Sequence, residues 1–312
     1  MKPEIILVEP MMPDIEAALD AGYTVHRLAA APDRDRLVAE VGPRVRAVVT
    51  GGGTGVSNAI MDACPNLGIV AINGVGTDAV DLKHAKAKGV RVTNTPDVLT
   101  DDVADLAIGL MITGSRRMMV GDRFVRAGQW PGGKLPLARK VTGKRLGILG
   151  LGRIGQAIAD RAAGFGMVIS YTNRKPRTDV PYRFVASPED LARESDILIV
   201  AASAGPDARN MVNRTVIEAL GPEGLLVNVA RGSVVDEPEL VAALKDGRLG
   251  GAALDVFANE PHVPDALFAL DNVVLQPHQA SATVETRKAM GDLVLANMSA
   301  FFAGQPLVTP VV

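Results

Sequence analysis

The sequence predicts two α/β domains, each built on a doubly wound parallel sheet. Short runs rich in β-branched residues alternate with amphipathic helical stretches along most of the 312 residues, in two separate series. Helices between strands imply crossover connections, which place helices on both faces of a parallel sheet. At roughly 150 residues per domain, the length also suits two domains. We therefore expect a smaller domain made of residues 1–97 and 284–312 and a larger one made of residues 98–283.

The first series supplies the smaller domain. Its strands are predicted at residues 4–8, 24–28, 47–50, 67–72 and 91–93, and its helices at residues 13–21, 33–40, 57–64 and 80–88. A continuous helix is predicted next, over residues 100–119. Its opening residues Thr100, Asp101 and Asp102 suit an N-cap and the positive end of a helix dipole. We interpret this helix as a spacer.

The second series supplies the larger domain. Its strands are predicted at residues 145–149, 168–171, 196–201, 225–229, 252–256 and 273–275. A last helix over residues 284–302 follows after that sheet is complete. We therefore expect the end of the chain to return to the first domain.

Composition excludes several classes of protein. Hydrophobic residues make up 47% and charged residues 22%, which is typical of a globular chain. The net charge of -2 and the lack of a basic face argue against nucleic-acid binding. Cys64 is the single cysteine, so no internal disulfide is possible, and the polar start lacks the apolar core of a signal peptide. Apolar runs are too short to span a bilayer. We expect a cytoplasmic protein.

A glycine-rich segment after the first strand of the second series is typical of a dinucleotide site. Gly150-Leu151-Gly152-Arg153-Ile154-Gly155 follows an apolar strand and leads into a helix, the context that the dinucleotide fingerprint requires. Gly150 permits a tight turn, Gly152 lets a pyrophosphate approach the backbone, and Gly155 allows close packing of helix on strand. The alternative is an ordinary turn. The segment predicts a Rossmann domain.

The next strand ends in a basic turn. An NAD site usually has an acidic residue here, which accepts hydrogen bonds from the ribose hydroxyls. This chain has Asn173, Arg174 and Lys175 instead, one amide and two cations that suit the 2′-phosphate of NADPH. The alternative is a solvated turn rich in basic residues. We predict NADPH as the cofactor, with NADH possible at lower preference.

Three residues near later strand ends form a plausible reaction set. Arg231, Glu260 and His278 each follow a predicted strand, and parallel sheets bind ligands at the carboxyl ends of their strands. Arginine can hold a carboxylate through two parallel N–H bonds, and histidine suits proton donation near neutral pH. A neighbouring carboxylate favours the protonated ring. Taken singly, each residue could equally be an ordinary loop or structural residue. We expect no metal ion.

These motifs and others along the chain make the sequence resemble the D-isomer-specific 2-hydroxyacid dehydrogenases over essentially its whole length. Within that family it looks most like the NADPH-dependent glyoxylate/hydroxypyruvate reductases, including the plant hydroxyphenylpyruvate reductase type. Besides the glycine-rich segment, the motifs in chain order are Gly74-Val75-Gly76-Thr77-Asp78-Ala79-Val80-Asp81, Val92-Thr93-Asn94-Thr95-Pro96, Asn228-Val229-Ala230-Arg231-Gly232, Leu254-Asp255-Val256-Phe257 with Glu260-Pro261, and Pro277-His278.

The resemblance implies a flavodoxin-like substrate domain, a Rossmann domain, and an active site in a cleft between them. It implies that Arg231 orients a 2-keto acid, that His278 donates a proton and that Glu260 pairs with His278. Backbone N–H groups of Val75 and Gly76 would bind the substrate carboxylate. The substrate-binding residues that it implies are Gly52, Val75, Gly76, Arg231 and His278.

The resemblance also adds cofactor contacts and a partner. Besides the glycine-rich segment and the basic turn, the cofactor-binding residues that it implies are Ala202, Val229, Ala230, Asp255 and Ser281. Asp255 would contact the nicotinamide carboxamide. A homodimer is implied, in which Trp130 reaches the active site of the partner subunit. The alternative is that Trp130 packs within its own chain.

The predicted function is NADPH-dependent reduction of glyoxylate or hydroxypyruvate to the D-2-hydroxy acid. Aryl pyruvates and 2-ketogluconate are alternative substrates for the same chemistry. A dinucleotide-sensing corepressor is a remote alternative of another class. The family's usual Pro-Leu-Thr-Pro-Glu-Thr stretch is replaced at residues 203–208, and residues 51–55 lack any bulky side chain to close a substrate pocket. The first departure removes an expected hydroxyl contact on the cofactor side, and the second leaves the substrate's size open.

Overall fold

The computed structural model describes residues 2–312 and divides into two compact units. The first unit comprises the chain up to Leu99 together with Ala282–Val312, and the second comprises Thr100–Ser281. Each unit contains its own parallel sheet with helices on both faces. The prediction of two doubly wound α/β sheets is confirmed.

The first unit is built on a five-stranded parallel sheet. Its strands are β1 (Glu4–Leu7), β2 (Thr24–Arg27), β3 (Val45–Gly51), β4 (Ile69–Asn73) and β5 (Arg91–Thr93), in the order β2-β1-β3-β4-β5. This is the flavodoxin-like strand order. Ile5 and Ile6 point to opposite faces of β1, and both are fully buried because helices cover both faces.

Polar caps start several helices of this unit. Its helices are α1 (Pro13–Gly22), α2 (Arg34–Val41), α3 (Asn58–Ala63) and α4 (Leu82–Ala87). Asp33 caps α2 by accepting from the Arg36 N–H, and Asp81 caps α4 in the same way. The last helix of the chain, Val284–Phe302, packs in this unit, where its Val294 and Met298 join the core around Ile5.

The second unit is built on a seven-stranded parallel sheet. Its strands are β6 (Arg145–Leu149), β7 (Val168–Thr172), β8 (Arg183–Phe184), β9 (Ile197–Val200), β10 (Leu225–Asn228), β11 (Gly251–Leu254) and β12 (Val273–Leu275), in the order β12-β11-β10-β9-β6-β7-β8. This is the Rossmann order with one further strand. From β6 the chain adds β7 and β8 on one side of the sheet and then adds β9 to β12 on the other side. The boundary between β6 and β9 is the topological switch point, where such sheets bind ligands.

Helices cover both faces of this second sheet. They are α5 (Thr100–Arg116), α6 (Met118–Arg126), α7 (Arg153–Ala163), α8 (Pro188–Arg193), α9 (Arg214–Leu220) and α10 (Glu237–Asp246), so the chain's last helix is α11 (Val284–Phe302). From residue 2 onward, no helix is long and apolar enough to cross a membrane.

Two elements differ from the sequence prediction. The predicted continuous helix over residues 100–119 is wrong in its last turn, because Arg117 adopts a left-handed φ of 50° that ends α5 and starts α6 in a new direction. Neither glycine nor proline marks this break in the sequence. The two-residue strand β8 was not predicted, since it is too short to show any alternation.

Candidate active site

The three predicted reaction residues follow three neighbouring strands. Arg231 follows β10, Glu260 follows β11, and His278 follows β12, which lie side by side at one end of the sheet. Backbone hydrogen bonds continue across these strand ends. The Asp255 N–H donates to the Asn228 carbonyl at 3.0 Å, and the His278 N–H donates to the Asp255 carbonyl at 2.8 Å. The structure therefore brings the three predicted loops together at one edge of one sheet.

His278 and Glu260 form a direct pair. Nδ1 of His278 lies 2.7 Å from Oε2 of Glu260, and the side chains are 35% and 33% exposed. The other carboxylate oxygen accepts the Phe257 N–H at 3.0 Å. Burial raises the pKa of Glu260, but the hydrogen bonds from His278 and Phe257 outweigh it, so the pKa lies below its usual value.

That pair fixes the roles of the ring nitrogens. An ionised carboxylate only accepts hydrogen bonds, so the proton in the contact with Glu260 belongs to Nδ1 of His278. Nε2 is then the ring nitrogen outside the pair. It is the atom that can donate a proton to a bound substrate.

The backbone at His278 is held in an uncommon conformation. Its φ of 55° lies in the left-handed region, which costs a residue with a side chain about 1–3 kcal/mol. The Asp255 carboxylate holds the turn by accepting the Gln279 N–H at 2.7 Å and the Ala280 N–H at 3.0 Å. Two backbone bonds directly after His278 therefore help to hold this conformation.

Asp255 itself is fully buried. Burial raises the pKa of its carboxyl, although the two backbone N–H donors oppose the rise. Each carboxylate oxygen accepts one backbone N–H, and the contact of Asp255 with a nicotinamide carboxamide stays a prediction. The place of Asp255 is behind the His278 turn, which it positions.

Arg231 lies in a tightly packed loop. Its Nη1 donates to the Ala230 carbonyl at 2.8 Å. The next residue, Gly232, lies so close to the Phe257 backbone that an added Cβ would overlap it. Glycine at this position therefore lets the Arg231 loop pack against the loop that carries Glu260.

The glycine-rich segment has the geometry of a phosphate-binding turn. Gly150 has a φ of 98°, and a Cβ on Gly155 would overlap the Gly150 carbonyl, so both positions require glycine. Gly152 is different, because nothing lies within 4 Å of the place where its Cβ would stand. That open space lies at the N-terminus of α7, where backbone N–H groups favour an anion. The residues therefore fit a bound pyrophosphate.

The basic turn after β7 lies against the glycine-rich segment. The Asn173 Oδ1 accepts the Leu151 N–H at 2.7 Å, so its amide supports that segment, and its contact with a ribose phosphate stays a prediction. Arg177 was missed as a site residue, yet its Nη1 donates to the Leu151 carbonyl at 3.1 Å and its guanidinium pairs with Asp179. Arg174 and Lys175 are the exposed cations of the turn.

The remaining predicted cofactor residues follow the carboxyl ends of strands in the second sheet. Arg153 and Ile154 open α7 at the glycine-rich segment, and Ala202 lies against Gly150. Val229 and Ala230 belong to the Arg231 loop. Ser281 ends the second unit, three residues after His278.

The predicted substrate loop lies in the first unit. Gly52 and Gly74 are in close contact at the carboxyl ends of β3 and β4. The Asn94 side chain donates to the Val75 carbonyl at 2.9 Å, and the Thr95 N–H donates to the Gly74 carbonyl at 2.9 Å. Gly52, Val75 and Gly76 are thus neighbours. Trp130 belongs to the second unit, where it lies in an exposed turn over Trp130–Gly132.

Comparison with known proteins agrees with this architecture. Residues 108–280 match the D-isomer specific 2-hydroxyacid dehydrogenase, NAD binding domain family. The chain is 50% identical to hydroxyphenylpyruvate reductase of Plectranthus scutellarioides, covering 99% of this chain and 98% of that protein. It is 45% identical to 2-ketogluconate reductase of Gluconobacter oxydans, covering 100% of this chain and 99% of that one.

A solved structure extends the likeness to three dimensions. The NADPH-dependent glyoxylate/hydroxypyruvate reductase of Sinorhizobium meliloti, crystallised with NADP and malonate, superposes with a TM-score of 0.92 at 41% identity, covering 100% of this chain and 97% of that one. Fold, strand-end residues and identity over the full length lead to one conclusion. The chain belongs to the D-isomer specific 2-hydroxyacid dehydrogenase family, and its second unit contains that family's NAD-binding domain.

Proposed function

We propose that this protein reduces a small 2-keto acid, glyoxylate or hydroxypyruvate, to the D-2-hydroxy acid with NADPH. The observation that carries the proposal is the His278–Glu260 pair, which lies beside the Arg231 loop at the ends of three adjacent strands. Reduction of a keto acid needs a cation that binds the substrate carboxylate, a proton donor, and a carboxylate that supports the donor.

In the proposed mechanism, each residue has a separate task. Arg231 holds the keto-acid carboxylate through its planar guanidinium. Nε2 of His278 donates a proton to the carbonyl oxygen as negative charge develops there, and Glu260 stabilises the ring. Nicotinamide, when bound, supplies the hydride. We keep as a prediction that the N–H groups of Val75 and Gly76 bind the carboxylate as well.

The preference for NADPH rests on the basic turn. Arg174 and Lys175 are exposed beside the glycine-rich segment, and no acidic side chain stands at Asn173, where a carboxylate would repel a 2′-phosphate. The related Sinorhizobium meliloti enzyme is described as NADPH-dependent. NADH remains a second, weaker cofactor in this proposal.

A homodimer is part of the same proposal. Helix α6 contains no buried residue, and its Met118, Met119 and Val125 are exposed apolar side chains. Trp130 is also exposed, and Leu137 is 98% exposed. A chain that exposes so much apolar surface in one segment usually covers it with a partner. Sedimentation at micromolar concentration should give twice the 32.7 kDa mass, and a monomer would contradict the proposal.

Substrate choice is decided by kinetics with a panel of keto acids. Purified enzyme and NADPH are assayed with glyoxylate, hydroxypyruvate, hydroxyphenylpyruvate and 2-ketogluconate, and kcat/KM is compared. We expect the two small acids to give the highest values. A preference for hydroxyphenylpyruvate or 2-ketogluconate, the substrates named for the two relatives above, would instead support the alternative. No reduction of any keto acid would reject the function. A cytoplasmic location stays a prediction.

A further inference from the structure

One buried amide closes the loop that carries Arg231. Asn228 is the last residue of β10 and is 1% exposed. Its Nδ2 donates to the Arg231 carbonyl at 3.0 Å, and its Oδ1 accepts the Ala230 N–H at 3.1 Å. A single side chain therefore fixes the backbone on both sides of the peptide that enters Arg231.

The same residue ties this loop to the next strand. The Asn228 carbonyl accepts the Asp255 N–H at 3.0 Å. Beyond Arg231, Gly232 packs on the Phe257 backbone, and the Phe257 N–H donates to Glu260 at 3.0 Å. The Arg231 loop is thus held by the Asn228 amide at its start and by the neighbouring loop at its end.

The position of Arg231 has an electrostatic consequence for the pair. Burial raises the pKa of Glu260, whereas His278, the Phe257 N–H and the charge of Arg231 lower it. The guanidinium is therefore close enough to Glu260 to be felt as a charge. A displaced Arg231 loop would therefore change two properties: the binding of an anion by Arg231 and the pKa of Glu260.

We propose that Asn228 is a positioning residue, which sets the Arg231 guanidinium relative to Glu260 and His278 for binding of a keto-acid carboxylate. The inference rests on the proposed role of Arg231 in substrate binding. Asparagine suits this role because its side-chain amide carries a donor, Nδ2, and an acceptor, Oδ1, at the same distance from the backbone. Aspartate keeps the acceptor but loses the donor, and serine is too short to reach both partners.

The test is a double-substitution cycle read by binding. Asn228→Ser, Arg231→Ala and the combined variant are titrated with oxamate, an unreactive keto-acid analogue, by fluorescence of the NADPH complex. With Arg231 present, Asn228→Ser should weaken oxamate binding about tenfold, the effect of one lost hydrogen bond. With Arg231→Ala, it should change binding by less than about twofold, because a residue that acts only through Arg231 has nothing left to position.

Two controls separate positioning from general damage. NADPH affinity is measured for each variant and every oxamate titration is made at saturating NADPH, because the Ala230 N–H that Asn228 holds belongs to a predicted cofactor residue. Asn213→Ser is the matched substitution in the same unit, because Asn213 caps α9 by accepting the Val216 N–H. It should leave oxamate affinity unchanged and Tm close to the wild-type value, because serine caps a helix about as well as asparagine.

The outcomes distinguish the two proposals. Unchanged oxamate binding in Arg231→Ala would reject the role of Arg231 in the proposed function. Weak binding in Arg231→Ala together with normal binding in Asn228→Ser would overturn only the inference about Asn228. An equal loss with and without Arg231 would also overturn it. If Asn228→Ser does not fold, Asn228→Asp passes through the same cycle with the same two outcomes.

Discussion

Replacing Glu260 with glutamine tests the proton donor most directly. The amide has nearly the same size and can still accept one hydrogen bond, so the ring of His278 keeps a neighbour of similar shape. The substitution removes the negative charge that lies 2.7 Å from Nδ1 and that stabilises the protonated ring. The reduction rate should therefore fall, and the acidic limb that the wild type shows as pH drops through the lowered pKa of Glu260 should be absent from the variant.

The size of the effect follows from the geometry. Hydrogen bonds between charged groups contribute about 1.5–3 kcal/mol, and the partial exposure of both side chains favours a value near 2 kcal/mol. At about 1.4 kcal/mol per factor of ten in rate, kcat near neutral pH should fall roughly 30-fold.

The assay is the pH dependence of kcat and kcat/KM, with NADPH and glyoxylate, for the wild type and Glu260→Gln. Glu237→Gln is the matched control, since Glu237 at the start of α10 accepts the N–H of Ala258, in the loop that carries Glu260, at 2.9 Å without being paired to His278. The control should keep the wild-type profile. If Glu260→Gln keeps the wild-type acidic limb and loses less than about twofold in kcat, the pair is not the proton-donating unit.

Three further predictions concern the second unit. Arg174→Ala should weaken NADPH binding at least tenfold and NADH binding little, whereas Arg177→Ala should weaken both alike, because Arg177 supports the Leu151 carbonyl; fluorescence titrations with each cofactor measure this. The Arg145 hydrogen bonds hold the pKa of Asp196 below its usual value, so Asp196→Asn should cost about 1–2 kcal/mol of unfolding free energy at pH 7, measured by urea unfolding. That contribution exists above the carboxyl's ordinary pKa and is lost as pH falls through the lowered one, so a cost that persists at pH 2 would contradict the assignment. Arg117→Gly should raise the unfolding free energy by up to about 1 kcal/mol by relieving a left-handed φ of 50°, and a lower Tm would contradict this.

The sequence was sufficient for the fold because alternation of apolar strands and helices is a local pattern. It was insufficient where stability comes from a distant contact. In strand β8, Phe184 packs edge-on to buried Tyr171, with ring centres 5.6 Å apart, and a run of two residues shows no alternation that would predict this contact. The break at Arg117 likewise has no glycine or proline to announce it.

In the candidate site, too, some features could be predicted from local sequence and others depend on contacts that only the folded chain makes. Arg231, Glu260 and His278 were predictable because each follows a strand of one parallel sheet. The hydrogen bonds of Asn173 and Arg177 could not be predicted, because only the folded turn shows that both side chains reach Leu151. A basic side chain in a sequence does not reveal whether it meets a phosphate or its own backbone.

The order of the seven-stranded sheet has a consequence for how such enzymes diverge. The glycine-rich segment and the basic turn belong to β6 and β7, whereas the reaction residues follow β10 to β12, on the other side of β9. In the chain, the two sets are also separate, and the connection between β8 and β9 divides them. A genetic recombination at residues 185–196 would therefore exchange the cofactor preference of two relatives as one inherited block and leave the proton donor in its native surroundings.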